Sequence, residues 1–108
     1  MQTTEALQVI ASPRRLRILE LTWDQELSAG ELAANFDVTW SAISQHIGVL
    51  KSAGFLIERR AGTSRLYTAN KDGLGALRGI VEAQWREQLS NIKALAEAEH
   101  ARRKDAKS

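Results

Sequence analysis

The chain has no cysteine, one proline and few aromatic residues. Without cysteine there are no disulfides, thiolate zinc sites, iron–sulfur clusters, thiol redox switches or cysteine nucleophiles. A single proline, Pro13, in 108 residues leaves room for long unbroken helices. No apolar run approaches the roughly 20 residues of a membrane span, so no membrane partner is expected. The start, MQTTEALQVIASPRR, lacks a basic stretch followed by an apolar one. No signal peptide is therefore expected, and the expected location is cytoplasmic. Nor is there a nucleophile–base pair, a paired-carboxylate cleft, a P-loop or a metal-ligand cluster, so the chain does not read as an enzyme. What remains is 44% hydrophobic, enough for one modest globular core and too much for a disordered chain.

Charge is nearly balanced, +2 overall, but unevenly placed. Asp24, Glu26, Glu31 and Asp37 lie in a stretch without Lys or Arg. From Val38 to Lys71 the balance reverses, with Lys51, Arg59, Arg60, Arg65 and Lys71 against the single acid Glu58. Arg14, Arg15 and Arg17 form a second basic cluster, and Arg102, Arg103, Lys104 and Lys107 a third. Clustered base on a nearly neutral protein points to a polyanion-facing surface. The basic tail over 101–108 reads instead as solvated and disordered.

Helix signals recur along the chain. Thr4 reads as the cap of a short helix holding Ala6, Leu7, Val9 and Ile10. Ser12-Pro13 reads as N-cap and first position of the next. Ser28-Ala-Gly-Glu31 is a capping box opening a third, with Leu32, Ala33 and Phe36 as its apolar positions. Thr39 caps a fourth helix, 39–52, whose Ala42, Ile43, Ile47, Leu50 and Ala53 follow a three–four spacing. Gly54 reads as its left-handed terminator. Two short β segments over 55–69, joined by Ala61–Ser64, predict a hairpin. Asp72 reads as the cap of a last helix with the stripe Leu74, Leu77, Val81, Trp85, Leu89, Ile92 and Leu95. To Glu99 such a helix would run about 40 Å, more than this small domain can cover. Part of the stripe is therefore expected to meet another chain.

The fold class is thus mainly α with a small β-hairpin: a winged helix-turn-helix of five helices. One domain is expected over 1–100, with a DNA-binding part at about 12–70 and dimerisation helices at about 4–11 and 72–98. The free face of the fourth helix carries Thr39, Trp40, Ser41, Ser44, Gln45 and His46, with no acid between Asp37 and Glu58. Gln suits an adenine edge, and Ser or Thr suits bases and phosphates. His46 reads as a phosphate contact in preference to a structural histidine. Trp40 reads equally as a contact to a thymine methyl or as an apolar staple. Arg59, Arg60 and Arg65 of the hairpin suit the backbone or a groove. One of Arg14, Arg15 and Arg17 is expected on phosphate. The competing reading is a winged helix used for protein–protein contact, against which the acid-free polar face argues.

The segments SPRRLRILELTW, ELSAGELAANF, VTWSAISQHIGVLKSAGFL and RRAGTSRLYTAN together resemble the ArsR-type winged-helix repressors of bacteria, over roughly residues 7–95. The resemblance implies a homodimer that represses transcription from a pseudo-palindromic operator in double-stranded DNA. It also implies a dimer interface on the first and last helices, here Leu7, Ile10, Leu77, Val81, Trp85, Leu89 and Ile92. Metal-sensing members carry a Cys-x-Cys pair where this chain has Ser28 and Gly30. Others use paired ligands on the last helix, where this chain has Asp72 near the start, Glu97 with His100 near the end, and otherwise scattered carboxylates. The resemblance is therefore to a metal-independent branch, with no cofactor, and no effector is specified.

Overall fold

The computed structural model describes residues 3–107, which fall into two compact units divided between Arg78 and Gly79. The first unit holds helices α1 (Thr3–Ile10) and α2 (Pro13–Leu21), strand β1 (Leu27–Ser28), helices α3 (Ala29–Ala33) and α4 (Trp40–Ser52), strands β2 (Leu56–Ala61) and β3 (Ser64–Ala69), and helix α5 (Lys71–Leu74). Helix α6 (Leu77–Lys107) supplies the second unit.

Local chemistry sets most of these boundaries. Ser12 Oγ accepts from the Arg15 amide at 3.3 Å, with Pro13 at the first helical position. Ser28 and Glu31 form the reciprocal capping box, at 3.1 and 3.0 Å. Thr39 Oγ1 accepts from the Ala42 amide at 3.1 Å and opens α4. Each such cap is worth about 1 kcal/mol, because it satisfies an amide that the helix leaves without a partner. Thr4, expected as a cap, lies inside α1, which begins at Thr3.

The sheet is antiparallel and three-stranded, in the order β1-β3-β2. A two-stranded hairpin was expected. The added strand is only two residues long, Leu27 opposite Tyr67 and Ser28 opposite Leu66, too short for any alternation to reveal. Ala61 pairs with Ser64, so the turn is Gly62-Thr63 rather than a four-residue loop. Gly62 has φ 63° and no non-glycine residue has positive φ, which is the type II′ pattern whose twist suits a hairpin.

The core of the first unit is built from one face of each element: Ile18 and Leu19 of α2, Leu32 of α3, Ile43, Ile47 and Leu50 of α4, Leu56, Tyr67 and Ala69 of the sheet. Full burial of such a side chain is worth about 1.5–3 kcal/mol. Thr22 is the one buried polar residue among those described; its hydroxyl donates to the Ile18 carbonyl at 2.8 Å. Its own carbonyl accepts from the Ala69 amide at 2.9 Å, tying α2 to β3.

The last helix begins differently from its sequence reading. Asn70, not Asp72, is the cap, accepting from the Gly73 amide at 3.2 Å. The first turn then stops at Gly75, whose φ of 56° lies outside the helical region. The expected single helix is therefore a short α5 and a long α6, and the described residues form six helices in place of the expected five. At its other end α6 continues to Lys107, through the tail expected to be disordered. That segment, rich in Ala, Lys and Arg and free of Gly and Pro, has high helix propensity, and Arg102 pairs with Glu99 one turn back.

Candidate nucleic-acid interface

α3, the turn 34–39 and α4 form the helix-turn-helix, and the β2–β3 hairpin is the wing. Because Ile43, Ile47 and Leu50 face inward, the opposite face of α4 is left to solvent, and Ser41, Ser44 and Gln45 are exposed there. Thr39 is exposed as well, with its hydroxyl engaged as the cap. Trp40 is 58% exposed, yet its ring lies across Gly30 of α3. A Cβ at Gly30 would sit 3.4 Å from Trp40 Cη2, ordinary van der Waals distance, so the ring packs directly on α3 there.

His46 is half-buried and faces the other way, toward α1 and α2. Its Nδ1 lies 3.3 Å from Arg15 Nη1. A guanidinium only donates, so Nδ1 accepts and the ring proton sits on Nε2. Burial, then the neighbouring Arg15 and Arg14, hold the His46 pKa below its ordinary value and favour this neutral form. Arg15 also donates from Nε to the Val9 carbonyl at 2.6 Å and from Nη2 to the Gln8 carbonyl at 3.2 Å. It thereby caps the end of α1, where a cation complements the helix dipole. Arg17 pairs with Glu20, and Arg14 is exposed.

Strand alternation separates the three wing arginines. Glu58 and Arg60 share a face with their partners Tyr67 and Arg65, whereas Arg59 points to the other face. There Arg59 makes a bidentate ion pair with Glu26, both contacts at 2.8 Å. That pairing lowers the Glu26 pKa and raises that of Arg59. Arg60 and Arg65 are directly opposite each other near the tip. Closer to α4, the Glu58 carboxylate accepts from Tyr67 Oη at 3.0 Å and from Lys51 Nζ at 3.2 Å, with Arg65 Nη1 at 3.8 Å. These donors, the Tyr67 hydroxyl first, hold its pKa below the ordinary carboxylate value. Lys51, on the last turn of α4, was not among the expected site residues. Its basic neighbours on the hairpin were the available signal.

The expected interface residues divide by exposure. Ile10, Leu77 and Val81 are buried in the single chain, and Trp85 is half-buried. Leu7, Leu89 and Ile92 are exposed, as is Leu95, at 42%, 67%, 63% and 71%. The surplus apolar stripe is therefore the part of α6 beyond Trp85. Among the described residues no three His, Asp or Glu side chains converge as metal ligands, and no helix is long and apolar enough to cross a membrane.

Residues 12–58 match the family described as "Bacterial regulatory protein, arsR family". The HTH-type transcriptional regulator Rv2034 of Mycobacterium tuberculosis is 37% identical over 94 residues, 87% of this chain and 88% of that protein. The solved structure of reduced HlyU from Vibrio cholerae superimposes with a TM-score of 0.67 at 31% identity, covering 77% of this chain and 84% of the other. HlyU is named a transcriptional activator. The homodimeric winged helix-turn-helix DNA-binding domain of Mb0332 from Mycobacterium bovis gives 0.66 at 27% identity, covering 80% of each chain. The chain belongs to the arsR family of bacterial regulatory proteins.

Proposed function

We propose that the chain is a homodimeric repressor that binds a pseudo-palindromic operator, with α4 in the major groove and the wing on the backbone. The observation that carries this reading is the Arg60–Arg65 pair. Like charges directly opposite on a sheet destabilise it, and a polyanion relieves that cost. The acid-free outer face of α4 lies on the adjoining helix. Ser41, Ser44 and Gln45 read bases, and Trp40 braces the turn while offering its exposed face. Arg60, Arg65 and Arg14 hold phosphates; Arg59 is kept by Glu26, and His46 positions α4 through Arg15. Dimerisation uses α1 and α6, through Leu7, Leu89, Ile92 and the half-buried Trp85, as the homodimeric state named for Mb0332 supports. Two dimer-related recognition helices then sit roughly 34 Å apart, one turn of DNA. Relatives include both an activator and the Bacillus subtilis repressor SdpR. We assign repression, because a dimer seated on a promoter excludes polymerase without any further surface. The reading calls for no metal: among the described residues no three His, Asp or Glu side chains converge.

Binding isotherms on operator and random duplexes at several salt concentrations test this. Gln45→Ala is expected to cost about 1–3 kcal/mol on the operator and much less on random DNA. Arg60→Ala is expected to weaken both alike and to lower the salt slope by about one. A protein that binds neither duplex, or binds without salt dependence, refutes the reading and leaves the protein–protein module.

A further inference from the structure

Glu58 is the one acid on the wing face that carries Arg60 and Arg65, and it is placed where a DNA-binding surface should have none. Three donors from two elements converge on it: Lys51 from the end of α4, and Tyr67 and Arg65 from β3. They surround a cleft between helix and wing whose walls include Ser44 and Gly48 of the base-reading face. Two cations, a hydroxyl donor and an open mouth are the composition of a phosphate site. The carboxylate fills it with an anion from within the chain. Lys51 and Glu58 keep 47% and 23% of their side-chain surface exposed, so the site is reachable by an incoming group.

We propose that Lys51, Arg65 and Tyr67 form a binding site for one DNA phosphate that Glu58 occupies in the free protein, and that this internal competition restrains operator affinity. The inference rests on the DNA-binding reading above. A phosphate reaches the site only by displacing Glu58. Operator DNA, fixed in register by base contacts from α4, presents a phosphate there at high effective concentration. Random DNA, held loosely, leaves the cations on Glu58. Only a duplex that reaches the site must break the contacts to Glu58, so the carboxylate weakens operator binding more than random binding.

Glu58→Gln removes the competing charge and nearly preserves shape. Operator affinity at 0.1 M salt should rise about fivefold to tenfold, with a salt slope steeper by about one, the charge that Glu58 no longer contributes. Random-duplex affinity should rise less, so the ratio of the two widens about threefold. Asp37→Asn makes the same change in net charge just before α4 and should move both duplexes alike. Lys51→Ala should be nearly silent on random DNA in the wild type but should cancel the gain in the Glu58→Gln background. Far-UV circular dichroism and thermal unfolding confirm that each variant is folded. Equal shifts on both duplexes in Glu58→Gln, no shift, or additive effects of Lys51→Ala overturn the inference and leave the DNA-binding reading intact. A wild-type protein that binds neither duplex refutes that reading, and this inference with it.

Discussion

Gly73 should be the least replaceable glycine of the fold. It sits in α5, where α5 meets the loop that ends α4. A Cβ built there would lie 2.1 Å from the Gly54 carbonyl oxygen, 2.6 Å from Asn70 Nδ2 and 3.0 Å from Asn70 Cγ. Ordinary contact begins more than 1 Å further out than the first of these, and the first is backbone. Asn70 cannot step aside freely either: its Nδ2 donates to Gly54 O at 2.9 Å while its Oδ1 caps α5 through the Gly73 amide at 3.2 Å. Gly73→Ala must push α5 off the α4 terminus or break both bonds. Overpacking costs about 1–3 kcal/mol and a lost hydrogen bond about 1 kcal/mol. Better helix propensity returns up to about 1 kcal/mol. The net expectation is a loss of about 2–3 kcal/mol, or roughly 10–20 °C in Tm for a chain of this size. Gly79→Ala is the control, because a Cβ there meets nothing within 4 Å. It should stabilise by about 0.5–1 kcal/mol. Urea titrations at one fixed protomer concentration measure both, since dimerisation links stability to concentration. A Gly73→Ala protein as stable as wild type would refute the reasoning.

Three further outcomes are expected. Gly48→Ala, also with nothing within 4 Å of the added Cβ, should raise stability by about 0.5–1 kcal/mol yet weaken DNA binding, because the open surface of α4 is where the duplex approaches; unchanged affinity would count against that docking. Folding lowers the His46 pKa, so the stability this provides is full above the unfolded value near 6.5 and declines as pH falls through the folded value. His46→Gln should flatten that decline in urea midpoints between pH 7.5 and 5, whereas Glu26 and Glu58, also lowered, lose their contribution only as pH falls below 4.5. Leu89→Ser with Ile92→Ser, both on exposed positions of α6, should keep helicity and yield a species sedimenting at 12.0 kDa, where the wild type is expected at twice that mass.

Helix starts were legible because their chemistry is local. Ser12, Ser28 and Thr39 each bond an amide three residues ahead, a relation visible in any linear string. Elements defined by distant partners were not. β1 exists only because β3 lies beside it, some 40 residues away in sequence, and the hairpin turn tightened once both strands could pair to Ala61 and Ser64. The break at Gly75 was hidden by a continuous apolar stripe running across it.

The same division governs the candidate site. Which residue types face outward from α4 follows from the period of Ile43, Ile47 and Leu50, so the polar face could be named in advance. Which cations are free to meet a phosphate depends on acids brought in by folding. Arg59 is taken by Glu26 from 33 residues away, and Arg15 turns inward to α1 and to His46, 31 residues away. Counting base along the chain therefore overstates the positive surface. Arg60, across the wing tip from Arg65, is its part with least acid nearby, while Lys51 and Arg65 share the single carboxylate of Glu58. The charge that matters for a nucleic-acid partner is thus the charge left over after intramolecular pairing. On this surface Glu58 sets that remainder: its removal frees two cations at once, whereas the loss of Glu26 would free one on the opposite face.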